Sequence, residues 1–124
     1  MTQAQLSVTV LPRYLEEHSQ PAQNEYAWSY TVTIVNTGTV SAQVVGRHWV
    51  ITDATGLVEE VRGLALVGHQ PLIPPGEKFE YTSGCQLDTA VGTMRGSFQI
   101  TAEDGTQFEA AIDEFTLSIP RVLH

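Results

Sequence analysis

The sequence predicts an all-β protein built as a sandwich of two β-sheets. Apolar and polar residues alternate with a period of two in several short segments, which is typical of strands that bury one face. Turn signals rich in Gly, Asn, Asp and Pro separate these segments, and no segment has the periodicity of a helix. Short alternating strands between frequent turns favour a two-sheet sandwich. We expect a single domain, 1–124, because 124 residues can bury a core without a disulfide or a metal.

The core-facing side of each predicted strand follows from the alternation. The clearest strand carries Trp28, Tyr30, Val32 and Ile34 on one face. The other core-facing sets are Leu6/Val8/Val10, Val45/Trp49/Ile51, Phe79/Tyr81/Ser83 and Met94/Phe98/Ile100. Both tryptophans are expected to anchor the core. Segment 15–25 is predicted as a polar loop, and segments 36–38, 53–56 and 103–106 as turns, the last of them a tight hairpin.

The final strand contains a change of parity. Its apolar residues lie at even positions up to Ile112 and at odd positions from Phe115 onward. In a regular strand, half of this set would face water. We therefore predict a β-bulge at Asp113 and Glu114, which would restore the facing and bend the strand.

Composition excludes several classes of function. The formal net charge is −8, with one lysine and five arginines, which argues against binding to nucleic acids or anionic membranes. No apolar run approaches the roughly 20 residues needed to span a bilayer. The first residues lack the features of an export signal, so we expect a cytoplasmic protein. A single cysteine, Cys85, fits a reducing compartment.

Segment 63–84 is the most informative about function. Gly and Pro are too frequent in it for a continuous strand, yet its first half is markedly apolar, with Leu64, Leu66, Val67, Leu72 and Ile73. Pro74, Pro75 and Gly76 exclude both a helix and a central strand. Long connections in β proteins often carry binding functions, so we expect the apolar part of this segment to pack against something.

Four strings in the chain resemble the bacterial ApaG proteins, in order and in spacing. They are GRHWVIT at 46–52, VGHQPLI at 67–73, PGEKFEYTSG at 75–84 and GTMRG at 92–96. The resemblance covers essentially the whole chain. It implies a fibronectin type III-like or immunoglobulin-like β-sandwich of two antiparallel sheets, in agreement with the alternation.

The resemblance also carries expectations about function. The same domain is an appended module in certain eukaryotic F-box proteins and in a DNA-polymerase-delta-interacting protein, where it is taken to mediate protein–protein contacts. In bacteria the family is linked genetically to cobalt resistance and magnesium efflux. The family is also described as having a Gly-x-Gly-x-x-Gly loop likened to a pyrophosphate-binding loop.

The corresponding residues here, 63–68, depart from that pattern. Ala65 replaces the middle glycine, at the point where a backbone would approach the phosphates closely. No helix is predicted after Val67, and Pro71 prevents one, so no helix N-terminus is available to hold the anion. Nucleotide or pyrophosphate binding at this loop is therefore kept as an alternative only.

Metal and catalytic chemistry have little support in the sequence. The histidines His18, His48, His69 and His124 are scattered. A divalent-metal site that uses His48, His69 or a cluster of acids stays an alternative, because the two histidines could converge and because the resemblance implies an association with cobalt and magnesium. Cys85 is expected to be a buried or rim cysteine, because nothing nearby would activate it. No catalytic constellation appears, and no cofactor is expected.

Arg47 falls on the apolar face of its strand, with Trp49 and Ile51. An arginine there lies at the end of the sheet, reaches solvent or meets an acid. Together with His48, Arg62 and His69 it forms a locally cationic region beside the 63–68 loop. We expect a structural pair with Glu59, Glu60 or Asp53, and a bound anion is the alternative.

These observations lead to the hypothesis of a non-catalytic binding module of the ApaG type with a protein partner. Contact would be made through the 63–75 segment and adjoining strand edges, and we also consider a homodimer because free sheet edges can pair. The candidate binding residues are Arg47, Arg62, Gly63, Leu64, Leu66, Val67, Gly68, His69 and Leu72.

Overall fold

A computed structural model describes residues 4–66 and 68–120. Its strands are β1 (Leu6–Tyr14), β2 (Tyr26–Asn36), β3 (Ala42–Asp53), β4 (Val58–Leu64), β5 (Leu72–Ile73), β6 (Lys78–Leu87), β7 (Val91–Ala102) and β8 (Gln107–Ser118). The predicted polar loop between β1 and β2 contains two short 3₁₀ turns, Glu16–His18 and Pro21–Gln23. Within the described residues, no helix is long and apolar enough to cross a membrane.

The strands form two antiparallel sheets that pack face to face. One sheet has the order β1-β2-β6. The other has the order β4-β3-β7-β8, and the short β5 pairs with the beginning of β3 on the same side as β4. The predicted fibronectin type III-like or immunoglobulin-like β-sandwich is thereby confirmed.

The core lies between the two sheets, where the alternating apolar residues of both meet. Trp28 and Trp49 are almost fully buried, as predicted. The indole N–H of Trp28 donates a hydrogen bond to the carbonyl oxygen of Ser118 at 2.9 Å. Tyr30 packs edge-on against Trp49, with ring centroids 5.2 Å apart, so the two sheets interlock through aromatic side chains.

The predicted bulge in the last strand is confirmed. Met94 of β7 pairs with Phe115 of β8, whereas Gly96 pairs with Ile112, so β8 carries one extra residue in this interval. Asp113 and Glu114 are both exposed at that point. The change of parity in the sequence therefore marks the position of an inserted residue. This residue keeps both Ile112 and Phe115 directed toward the interior.

A second bulge, in β3, corrects one predicted strand face. Val44 pairs with Ile100 and Gly46 with Gln99, which leaves Val45 as the extra residue. Val44 is fully buried in the core, while Val45 is half-buried and lies outside it. The prediction that Val45 shares the core face of Trp49 was wrong, because the bulge reverses the parity between the two halves of β3.

Candidate functional site

The segment that joins β4 to β5 is fixed to β3 by backbone hydrogen bonds at both ends. The Ala65 N–H donates to the carbonyl oxygen of Val45 at 3.0 Å, and the Val44 N–H donates to that of Pro71 at 3.0 Å. Between these points, Leu66 and His69 form a tight reciprocal pair, with N–H···O distances of 2.6 and 2.9 Å. We call residues 65, 66 and 68–71 the pinned loop.

Two glutamine side chains add further attachments. The Gln70 Nε2 group donates to the carbonyl oxygen of Val45 at 3.0 Å, and the Gln43 Nε2 group donates to that of Gln70 at 3.1 Å. Both glutamines bridge the loop to β3. Because a pinned backbone loses little conformational freedom on binding, this loop is preorganised.

The apolar residues of this segment divide into two groups. Leu64 is 79% exposed and Leu72 is 61% exposed, while Leu66 is 0% exposed and belongs to the core. The expectation that Leu66 lies on a contact surface was therefore wrong, because its side chain fills the interior beneath the loop. Val67 lies outside the described residues.

The two exposed leucines lie on the outer face of the larger sheet. Leu64 pairs with Gly46 and lies three residues beyond Val61, which pairs with the core residue Trp49. Leu72 pairs with Gln43 of β3. Since neighbouring residues of a strand face opposite sides, and Val44 beside Gln43 faces the core, Leu64 and Leu72 both face outward, roughly 10 Å apart along β3.

A trough of about 510 Å³ adjoins Leu72. Its lining is largely apolar and comes from the β5 region and the beginning of β6, with Pro71, Leu72, Pro74 and Phe79 among its residues. The trough and the two leucines together form what we call the Leu64–Leu72 surface.

The Arg47 side chain lies on the inner face of the larger sheet, as its alternation with the neighbouring residues of β3 predicted. Its Nη1 group donates to the carbonyl oxygens of Leu64 at 3.1 Å and Ala65 at 2.7 Å, so it supports the pinned loop from the interior. The guanidinium lies against Gly63, where an added Cβ would be 2.8 Å from Nη1. Gly63 is therefore a glycine because the arginine occupies the space of a side chain.

The predicted ion pair of Arg47 was wrong. Among residues 4–66 and 68–120, no carboxylate forms a salt bridge with Arg47, and the acid Glu60 instead pairs with His48, with Nε2 and Oε1 2.9 Å apart. Main-chain carbonyl oxygens accept hydrogen bonds from the Arg47 Nη1 group instead. The half-buried cation is thus held in place without a counter-ion from the described part of the chain.

The other predicted cationic residues do not join Arg47. His48 and its cross-strand partner Arg62 have the outward parity of their strands, opposite to Arg47. His69 lies at the loop, with its ring centroid 6.5 Å from that of Phe79. In the part of the chain that the structure describes, no group of three or more His, Cys, Asp or Glu side chains could hold a metal ion.

The described residues on either side of position 67 have turn conformations. Ala65 has φ 73° and Gly68 has φ 84°, so both occupy the left-handed region. Leu66 and His69 pair with each other directly, as expected for a segment that does not begin a helix. Gly68 thus serves a tight turn, and Ala65 adopts a conformation that glycine reaches with less strain.

A second feature is a cleft of about 310 Å³ between the edge strands β4 and β6. Arg47 lies in its lining, beside an interior made of Tyr30, Trp49, Ile51, Val61 and Met94. Residues 83–86 of β6 form one wall, and Glu59 lies on the opposite wall. The sandwich is therefore open on this side, whereas β1 packs against β8 on the other.

The groups that line or adjoin the cleft are strongly influenced by burial. Burial raises the pKa of Tyr30, while a hydrogen bond with Ser83 and the charge of Arg47 oppose that shift. Burial also raises the pKa of Tyr81, and the charge of Arg47 again opposes that shift. Among the described residues, the buried Tyr81 hydroxyl has no hydrogen-bond partner.

Cys85 is a half-buried residue of the cleft wall, as its sequence context predicted. Burial, with a smaller contribution from the charge of Glu59, raises its pKa from 9.0 to about 11. At neutral pH the thiol is protonated and weakly nucleophilic. The cleft as a whole was not predicted. The sequence did contain a signal for it, because Arg47 and four other polar or half-polar residues occupy core-facing positions of their strands: Tyr30, Tyr81, Ser83 and Cys85.

The fold and these two features define a small β-sandwich protein with a preorganised apolar edge and an open inter-sheet cleft. The chain belongs to the ApaG domain family, whose model matches residues 16–102. A Protein ApaG of Ralstonia nicotianae is 59% identical over 124 residues, which is 100% of both chains. Its counterpart in Thiobacillus denitrificans is 57% identical over 120 residues, covering 97% of this chain and 94% of that one.

A solved structure shows the same similarity in three dimensions. The crystal structure of a Bordetella pertussis protein named ApaA has a TM-score of 0.94 and 55% sequence identity to this chain. The superposition covers 96% of this chain and 97% of that chain. The order and pairing of the strands described above are therefore those of a fold already seen in this family.

Proposed function

We propose that the protein is a non-catalytic binding module that docks another protein on the Leu64–Leu72 surface. The observation that carries this proposal is the exposure of two leucines on a backbone segment held from both sides of the sheet. Single exposed apolar residues are common on protein surfaces. Here, an apolar trough adjoins Leu72, and the loop between the two leucines is preorganised.

The rigidity of the loop between Leu64 and Leu72 lowers the cost of docking a partner on this surface. Docking onto a flexible loop would cost conformational entropy, whereas the pinned loop has already lost that freedom during folding. Burial of both leucines and of the trough would then contribute roughly 25 cal/mol for each Å² of apolar surface removed from water. Leu66 and Arg47 act beneath the surface as supports and do not contact the partner.

Site-specific photo-crosslinking in living cells tests the proposal. A photoreactive amino acid at position 64 or 72 is expected to give a discrete adduct with a heterologous protein. The matched control is position 11, where Leu11 is 73% exposed on the smaller sheet. The same adduct at positions 11 and 64, or only adducts of the chain with itself, would contradict docking of a partner at this surface.

Substitutions provide a second readout. Leu64→Ser and Leu72→Ser are expected to reduce recovery of the crosslinked partner without changing the free energy of unfolding, because both side chains are already in water. Leu57→Ser, at a residue that is 69% exposed, is the matched control and is expected to leave recovery unchanged.

A further inference from the structure

We propose that the cleft between β4 and β6 binds a small organic monocarboxylate with an apolar body, whose carboxylate is held by the guanidinium of Arg47. This site lies on the inner face of the larger sheet. It is therefore separate from the outward-facing Leu64–Leu72 surface and goes beyond the proposed protein docking.

The Arg47 guanidinium is only partly hydrogen-bonded within the described residues. Nη1 is fixed by the two carbonyl oxygens of Leu64 and Ala65, whereas Nε and Nη2 form no hydrogen bond with any residue in 4–66 or 68–120. Those two nitrogens provide the planar pair of donors that matches a carboxylate. Because Gly63 lies against the group, the arginine is positioned before any ligand arrives.

Arg47 also lacks a counter-ion among the described residues. Arg47 is half-buried beside aromatic and aliphatic side chains, and no carboxylate of the described residues pairs with it. A cation in such a position interacts with an anion more strongly than a surface arginine does, since water screens it less. The cleft therefore supplies the charge complementarity that an apolar pocket alone would lack.

The lining of the cleft restricts the size and the total charge of the ligand. Tyr30, Trp49 and Met94 line the cleft beside its polar groups, and its volume of about 310 Å³ lies at the lower end of the range for small-molecule pockets. Glu59 pairs with Ile51, four residues along β3 from Arg47, or roughly 13 Å in backbone position. An acid at that end disfavours a ligand that is negatively charged along its whole length, such as a polyphosphate.

The test is a titration of the ¹⁵N-labelled protein with 3-phenylpropionate, followed by amide chemical shifts. Saturable shifts are expected at Glu59, Val61 and residues 84–86, together with a shift of the Arg47 Nε resonance. The neutral analogue 3-phenylpropan-1-ol has the same apolar body and is expected to bind at least tenfold more weakly. Pyrophosphate is expected to leave the cleft residues unchanged.

Two variants test separately the contribution of the Arg47 charge and that of the free volume of the cleft. Arg47→Met retains the aliphatic stem and is expected to weaken 3-phenylpropionate at least tenfold. Cys85→Phe fills the cleft without altering Arg47 and is expected to abolish binding, while the control Cys85→Ser is expected to retain it. Should Arg47→Met unfold, the wild-type protein still decides the question, because bound 3-phenylpropionate is expected to slow alkylation of Cys85 in proportion to occupancy.

Three results would contradict ligand binding at the cleft. Absence of saturable shifts, equal affinity for the carboxylate and the alcohol, or a response confined to residues 68–70 would each overturn the proposal. Those results would leave the crosslinking at positions 64 and 72 unaffected, so failure of the cleft site is distinguishable from failure of the docking surface.

Discussion

Gly63→Ala tests the packing that joins Arg47 to the pinned loop. An added Cβ would lie 2.8 Å from Nη1, 3.0 Å from Cζ and 3.1 Å from Nη2 of Arg47, so the guanidinium must move. Such a movement is usually easy for a long side chain, but this one is held by carbonyl oxygens at 3.1 and 2.7 Å. Losing two charge-assisted hydrogen bonds, with water partly replacing them, costs about 2 kcal/mol. The better strand propensity of alanine returns about 0.5 kcal/mol, which leaves a net destabilisation of about 1.5 kcal/mol.

Urea denaturation of the wild type and of Gly63→Ala measures this change in the free energy of unfolding. The control is Gly84→Ala in β6, where the nearest atom to an added Cβ is the Trp28 carbonyl oxygen at an ordinary 3.7 Å, so little change is expected. A double-mutant cycle identifies the cause: in an Arg47→Met background, Gly63→Ala should cost less than about 0.5 kcal/mol. Equal costs in both backgrounds, or equal effects at Gly63 and Gly84, would refute the proposed packing.

Four further outcomes are expected at other positions in the structure. Tyr81→Phe removes a buried hydroxyl that lacks a hydrogen-bond partner among the described residues, so thermal unfolding should show unchanged or slightly higher stability. Asn36→Ala should cost about 3 kcal/mol by chemical denaturation, because the buried side chain makes hydrogen bonds of 2.7 to 2.9 Å to three backbone groups. Gly96→Ala should cost about 3 kcal/mol or more in the same assay, since its Cβ would lie 1.9 Å from the backbone oxygen of His48; a cost as small as that of Gly84→Ala would contradict the close approach of β3 and β7. Alkylation of Cys85 near pH 8 should be about 100-fold slower than in the unfolded chain, because its pKa is raised from 9.0 to about 11, and its contribution to stability should fall as pH rises between those values.

Much of the fold could be predicted because strand alternation is a local signal. The bulge at Asp113 and Glu114 was found because apolar residues flank it closely on both sides, at Ile112 and Phe115. The bulge at Val45 was missed because Val44 and Val45 are both apolar, so the sequence does not show which of them faces the core. Periodicity locates an inserted residue only where the two candidate faces differ in polarity.

The candidate site was predicted less completely, for a related reason. Parity correctly placed Arg47 on the inner face, but sequence does not give the path of a loop, so the carbonyl partners at Leu64 and Ala65 were not anticipated. Burial of Leu66 beneath the loop is likewise a consequence of tertiary packing. The cleft depends on how far β4 and β6 stand apart, which no local pattern encodes.

The proposed docking surface depends on a loop that is rigid before any partner binds. Amide hydrogen exchange of the free protein, followed residue by residue, measures this directly at Ala65, Leu66 and His69, whose N–H groups donate to carbonyl oxygens at 3.0, 2.6 and 2.9 Å. Strong protection is expected at all three, together with faster exchange at all three in Arg47→Met. Exchange of these amides at the rate of an unstructured peptide would contradict a preorganised docking surface.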